Sequence, residues 1–300
     1  MQLPDPVYLA IPGFILLLGA EMLYGRIRGK VQFKTRDTMA SLAMGIGSLV
    51  AGAAFGFIFL AFAGAVRPYR IADIGWSWSA IAACFVLDDM LYYWWHRAAH
   101  RVRWLWAAHV NHHSSQHYNL STALRQPWTD AFTPGLLFKA PLIILGFPLG
   151  MMAFVSGVNL VYQYWIHTEA VGRMPRAFEW LMNTPSHHRV HHATNPRYLD
   201  TNYAGVFIVW DRLFGTFAAE EASDPPHYGI VTNLTSFNPL VIAFHEWRAM
   251  GRDFLRARSL REIAGALLAP PGWRPDGLGQ TTDVIKAHWA VEHRDRDFAA

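Results

Sequence analysis

The chain has 300 residues, of which 52% are hydrophobic and only 16% charged, where soluble domains hold about 25% charged residues. That deficit points away from an ordinary soluble enzyme and toward a membrane protein; thirteen Trp and eleven Tyr agree, since such rings gather at membrane interfaces. The single cysteine, Cys84, excludes an internal disulfide and a thiolate cluster, and a net charge of +4 without a basic stripe excludes a nucleic-acid partner.

In chain order, residues 7–23 and 39–66 are apolar runs near the roughly 20 residues that cross a bilayer. No basic residue precedes the first, so no cleavable signal peptide is expected. Residues 76–95, bounded by Trp76 and the pair Trp94-Trp95, predict a third span. The loop between the first two spans carries Arg26, Arg28, Lys30, Lys34 and Arg36, which the positive-inside rule assigns to the cytoplasm. Arg67 and Arg70 on the outer side are a weaker counter-signal. The N-terminus is then outside, and the third span delivers His96 to the cytoplasmic face.

Residues 131–168 are apolar but hold Pro134, Lys139, Pro141 and Pro148, so they do not read as one clean span. For His167 to share a site with the histidines before it, this region must go in and come back. Two short helices turning near Gly146-Phe147-Pro148 are expected, with a re-entrant hairpin as the alternative; protein must bury the irregular backbone either way. From Val171 the mixed composition predicts a cytoplasmic helical cap. Residues 241–300 predict an amphipathic helical stretch from Phe244 to Leu267, the breaker Pro270-Pro271-Gly272, and a polar tail without chemistry. The expected organisation is all-α: membrane helices over 1–75, a metal-binding domain over 76–220, and a cytoplasmic extension over 221–300.

Eleven of the fifteen histidines lie between His96 and His192. Most fall in three patterns: His96-Arg-Ala-Ala-His100, His109-Val-Asn-His112-His113 and His188-Arg-Val-His191-His192. Helix positions i, i+3 and i+4 share a face, so each pattern is expected to point its imidazoles at one spot. His167 closes an apolar run with Gln163 one turn before it, and a histidine at membrane depth is a functional candidate. These nine rings exceed what one zinc uses. Shared between two ions they leave four or five each, which suits six-coordinate iron with room for oxygen. The expected ligands are His96, His100, His109, His112, His113, His167, His188, His191 and His192.

Gln163 is a candidate ligand or hydrogen-bond support. His187 is a candidate for hydrogen-bond or structural support ahead of ligation, because adjacent helix residues face about 100° apart and it is not expected to join the same metal as His188. Asp89, seven residues before His96, is expected to hydrogen-bond a distal ring nitrogen; the other reading of Asp88 and Asp89 is helix–helix glue. A lone histidine is more often a satisfied core residue, so His227, His245, His288 and His293 carry no ligand expectation, nor does His117 beyond the Ser114-Ser115 break.

At these motifs the chain resembles the fatty acid hydroxylase/sterol desaturase superfamily of membrane di-iron enzymes, and within it the alkylglycerol monooxygenase-like members. The resemblance runs from about Asp89 to Glu220. It rests on Tyr92-Tyr-Trp-Trp-His96-Arg97, His112-His-Ser-Ser, Tyr118-Asn-Leu-Ser-Thr-Ala-Leu-Arg-Gln126 and Tyr162-Gln-Tyr-Trp-Ile-His-Thr-Glu169. Asn183-Thr-Pro-Ser-His-His-Arg-Val-His-His192, Asn202-Tyr-Ala-Gly and Trp210-Asp-Arg-Leu-Phe-Gly-Thr-Phe217 extend it. It implies two iron ions on the cytoplasmic side and O2-dependent hydroxylation of a lipid within the bilayer. The family pattern marks the three boxes as ligands and supports His167, with Gln163 where fatty acid hydroxylases show another histidine. Arg101, directly after the second histidine of the first box, departs from the animal alkylglycerol enzymes, which look to have an acid there. In that branch tetrahydropterin is the reductant and glyceryl ethers are cleaved; otherwise an electron-donor protein is implied. Sterol, fatty acyl, carotenoid and aminolipid substrates are the alternatives within the superfamily. A membrane zinc hydrolase would need the H-E-x-x-H glutamate, which is absent; a metal transporter or metal-binding protein is the non-oxygenase alternative.

Overall fold

A computed structural model describes the backbone of residues 3–297 and the side chains of residues 3–292. The described residues are helical, with two isolated bridges and no strand. The helices are α1 (Pro6–Arg28), α2 (Thr35–Val66), α3 (Trp78–Arg101), α4 (Arg103–His113), α5 (Leu120–Ala123), α6 (Ala140–Leu145) and α7 (Leu149–Trp165). After them come α8 (Arg176–Leu181), α9 (Pro185–His191), α10 (Val209–Leu213), α11 (Pro239–Arg256), α12 (Leu260–Leu268) and α13 (Thr282–Asp297).

Local chemistry sets the boundaries. Asp5 caps α1 by accepting from the Val7 amide, Pro6 opens the helix, and Gly29 closes it in the left-handed region. Ser77 caps α3 and Asn238 caps α11 in the same way. α1 and α2 have mean hydropathies of 1.8 and 2.3 over their most apolar windows and, among the described residues, are the two helices long and apolar enough to cross a membrane. Leu9, Ile15, Leu16, Ile46, Val50 and Leu60 stand exposed along them. The expected third span, α3, is 24 residues long but carries Asp88 and Asp89 at mid-length and does not reach that apolarity. Both acids are buried and hydrogen-bonded, and Asp88 is paired with a cation: it accepts from Lys139 Nζ at 2.5 Å and from Ser156 Oγ.

Residues 131–168 leave the histidine end of the molecule and return to it. At one end Trp104 of α4 donates to the Phe132 carbonyl at 3.0 Å, and at the other His167 meets His112 of α4. Between them, Ile71 and Ile74 of the α2–α3 loop donate to the carbonyls of Ile144 and Gly146. Gly146 turns the chain with φ 94°, and a Cβ there would stand 1.8 Å from the Ala72 carbonyl oxygen. The legs are a 3₁₀ turn continued by α6, then α7. Cys84 on α3 packs with Leu142, Ile143, Met151, Met152 and Val155 near this turn, so the apolar core and the histidines occupy opposite ends of α3 and α7. The α1–α2 loop lies at the histidine end, where Asn119 donates to the Gln32 carbonyl.

The helical stretch expected over 244–267 is two helices. α11 begins earlier, at the Asn238 cap, and ends by Ala257; Ser259 then caps α12. α11 braces α4 through Arg103, which reaches Glu246 and Asp253 at 2.7 Å each.

Candidate metal centre

The nine histidines of the three boxes and His167 converge from α3, α4, α9 and the end of α7. They form two groups: His96, His100, His109, His113 and His191 in one, His112, His167, His188 and His192 in the other. Each residue offers one ring nitrogen, and within a group these atoms lie within 4.8 Å of one another. All nine side chains are buried. The groups adjoin, with His113 stacked on His192 at 4.3 Å between ring centroids.

The second and third boxes do not each point at one spot, as their spacing suggested. His109 and His113 serve one group while His112 serves the other; His191 is likewise separated from His188 and His192. Adjacent residues on a helix face about 100° apart, so α4 and α9 each lie between the two groups and give to both. The first box stays together, since His96 and His100 are one turn apart on α3.

The hydrogen bonds fix where the ring protons sit. His96 Nδ1 lies 2.8 Å from the Tyr203 carbonyl, His167 Nδ1 2.7 Å from that of Gln163, and His191 Nδ1 3.0 Å from that of Thr201. A carbonyl only accepts, so each Nδ1 carries the hydrogen and each neutral ring leaves a bare lone pair on Nε2. Those lone pairs face other histidines. His109 Nε2 is 2.9 Å from His96 Nε2 and 3.1 Å from His113 Nε2; His167 Nε2 is 3.1 Å from His112 Nε2 and 2.9 Å from His188 Nε2. Nε2 of His100, His191 and His192 is buried with no hydrogen-bond partner among the described residues. Buried polar atoms are rarely left so, and converging lone pairs are what a cation would satisfy. Burial, reinforced by the neighbouring rings, holds His109, His113, His188, His191 and His192 well below the ordinary histidine pKa, and burial does the same for His112. The rings are therefore neutral, the form that ligates metal.

The three supporting residues fall outside the groups. Asp89 bonds no histidine among the described residues: it accepts from Val206 N, Phe207 N, Trp210 Nε1 and Asn159 Nδ2 at 2.8–3.0 Å. Seven residues keep it on the His96 face but about 10 Å further along the axis. Its role is to tie α3 to α7 and to the chain entering α10. Both ends of the Gln163 amide are occupied: it donates to Asn159 and accepts from Tyr92 OH. His187 turns toward Thr184, Glu179 and Phe217. His117, His227, His245 and His288 also lie outside the groups, and the His293 side chain lies outside the described residues.

Sequence reasoning missed the acid that does reach a ring. Asp200 Oδ1 lies 3.5 Å from His100 Nδ1, and Arg101 bonds both Asp200 and Asp283 of α13. Asp200 is in a loop without periodicity, and its φ of 54° is visible only in the fold.

Residues 81–216 match the fatty acid hydroxylase family. An alkylglycerol monooxygenase from Homo sapiens is 37% identical to the chain over 278 residues, covering 91% of this chain and 61% of that protein. One from Danio rerio is 37% identical, covering 94% and 64% respectively. An ornithine lipid hydroxylase from Rhizobium tropici is 26% identical, covering 70% and 66%. The chain thus spans about three-fifths of the length of these two alkylglycerol monooxygenases. No solved structure matches it.

Proposed function

We propose that this chain, which carries a fatty acid hydroxylase domain over residues 81–216, is a membrane-bound, O2-dependent lipid hydroxylase whose nine clustered histidines hold two iron ions. The observation that carries the reading is a pair of adjoining, buried, all-imidazole groups of five and four residues with their lone pairs turned inward. Five imidazoles in one group exceed the four protein ligands that a zinc ion takes, which favours six-coordinate iron.

When bound, the iron supplies O2 activation, so that one oxygen atom enters a C–H bond and the other leaves as water with two electrons and two protons from outside. The protein's own groups do the rest. The carbonyls of Tyr203, Thr201 and Gln163 hold three rings in the tautomer that exposes Nε2. Burial keeps the rings neutral and water out. The electrons come from a donor protein or a small reductant such as tetrahydropterin.

The proposed topology has an outer N-terminus, α1, α2 and α3 spanning, and the 131–168 hairpin dipping in from the cytoplasmic face. Two observations support it: the loop holding Lys30 and Lys34 sits at the histidine end, and the 131–168 turn sits at the other. Residues 171–220 then cap the site, and 221–300 form an extension braced on α4.

A glyceryl ether is the first substrate reading, from the alkylglycerol monooxygenase relatives; hydroxylation beside the ether oxygen gives a hemiacetal that falls to an aldehyde and glycerol. An aminolipid is the second, favoured by the ornithine lipid hydroxylase. Full-length protein in nanodiscs, given Fe(II), O2, tetrahydropterin and each lipid, separates them. Aldehyde release supports the first, a hydroxylated aminolipid supports the second, and uncoupled or absent O2 consumption with every lipid argues against both.

A further inference from the structure

Resting on that metal reading, we infer that the four-residue segment Asp200–Tyr203 orients the five-histidine group, with Asp200 the positioning carboxylate of His100 and Arg101 its support. Three of the five rings meet this one segment at the nitrogen that faces away from the group. His100 Nδ1 lies against the Asp200 carboxylate, His191 Nδ1 against the Thr201 carbonyl, and His96 Nδ1 against the Tyr203 carbonyl. Among the described residues the four-histidine group shows no counterpart: His167, just past α7, uses the carbonyl of Gln163 in that helix.

The segment is built for that task. Asp200 and Asn202 both have positive φ, 54° and 56°, a conformation that costs most residues and suits Asp and Asn. They alternate with Thr201 and Tyr203, the two whose carbonyls meet rings. Asp211 then accepts from the Tyr203 and Ala204 amides at 2.8 Å, and the Asn202 amide bonds the His187 and Ala218 carbonyls. Thr201 Oγ1 donates to the Tyr198 carbonyl on the other side, so the segment is hydrogen-bonded at both ends where it faces the rings.

Asp200 differs from the two carbonyls in carrying charge. A carboxylate behind an imidazole fixes its tautomer and makes it a stronger donor to metal. Arg101, the residue directly after His100, holds Asp200 at 3.1 Å and bonds Asp283 at 3.0 and 2.8 Å. The arginine thus ties the polar C-terminal helix α13 to this carboxylate. That gives Arg101 and the tail a role in the site that neither composition nor spacing suggested.

The test uses full-length protein in nanodiscs loaded with ⁵⁷Fe(II) without O2, with Asp200→Asn, Asp200→Ala and Arg101→Gln. Chelator competition reads the affinity of each ion, and Mössbauer spectra read their surroundings. Asp200→Ala should weaken one ion by about 10–100-fold and shift its signal, leaving the other unchanged. Asp200→Asn, which keeps an acceptor but not the charge, should shift the same signal less, and Arg101→Gln should move it in the same direction. If Asp200→Ala does not fold, Asp200→Asn and Arg101→Gln decide. Wild-type affinity and spectrum in the decisive variants, or equal loss of both ions, would overturn the assignment. A wild-type protein that binds no iron would instead overturn the metal reading on which it rests.

Discussion

His112 and His113 adjoin in the chain, yet their rings stand at 88° to each other, 5.4 Å apart, and serve different groups. His113 joins four other rings, while His112 joins three. Removing one ligand from the smaller set should therefore do more harm. His112→Ala is expected to drop iron content by about one ion per chain and abolish turnover, while His113→Ala retains most of its iron with an altered spectrum. Metal analysis beside Mössbauer spectroscopy checks this; identical losses in the two variants would contradict the partition.

Acid should unfold the metal-free protein. The buried rings of His109, His112, His113, His188, His191 and His192 have pKa values far below that of an exposed histidine. The unfolded chain takes up protons below about pH 6.5 where the folded chain does not. The stability is thus fully present above that pH and is lost as pH falls, each ring contributing up to about 1.4 kcal/mol per pH unit. Melting temperature of the chelator-treated protein in detergent should be flat from pH 7 to 8 and fall steeply below 6.5. A melting curve independent of pH down to 5 would argue against neutral buried rings.

Arg125 is buried and pairs with Asp37 at 2.6 Å while also donating to Ser41 and Ser114, joining α2 to the end of α4. Arg125→Met should cost about 3–5 kcal/mol because it strands the Asp37 charge. The double variant Arg125→Met/Asp37→Leu should recover part of that loss. Thermal denaturation of the three proteins tests it, and a double variant less stable than Arg125→Met would refute the explanation.

The orientation is open to labelling. With Cys84 replaced by Ala, a single cysteine at Lys30 should react with a membrane-impermeant maleimide only after the membrane is opened, and one at Tyr69 should react in intact cells. The reverse pattern would invert the topology.

The helical class and the nine rings were legible because helices impose 3- and 4-residue spacing on anything that must share a face. The 100° step that set His187 apart from His188 applies equally to His112 with His113 and to His191 with His192, so the split was within reach of the same geometry. Asp89 misled because a shared face says nothing of depth along the axis. The Asp200–Tyr203 segment was hidden for a different reason: its contacts depend on loop dihedrals and on a chain reversal that leave no periodic trace. The break between α11 and α12 was likewise concealed, since Ala257-Arg258-Ser259 interrupts the helix without a proline or glycine.

Metal content of the purified full-length protein tests the central claim most directly. The account predicts about two iron ions per chain, falling to about one in His112→Ala. One zinc per chain, or no bound metal in a folded protein supplied with Fe(II), would contradict it.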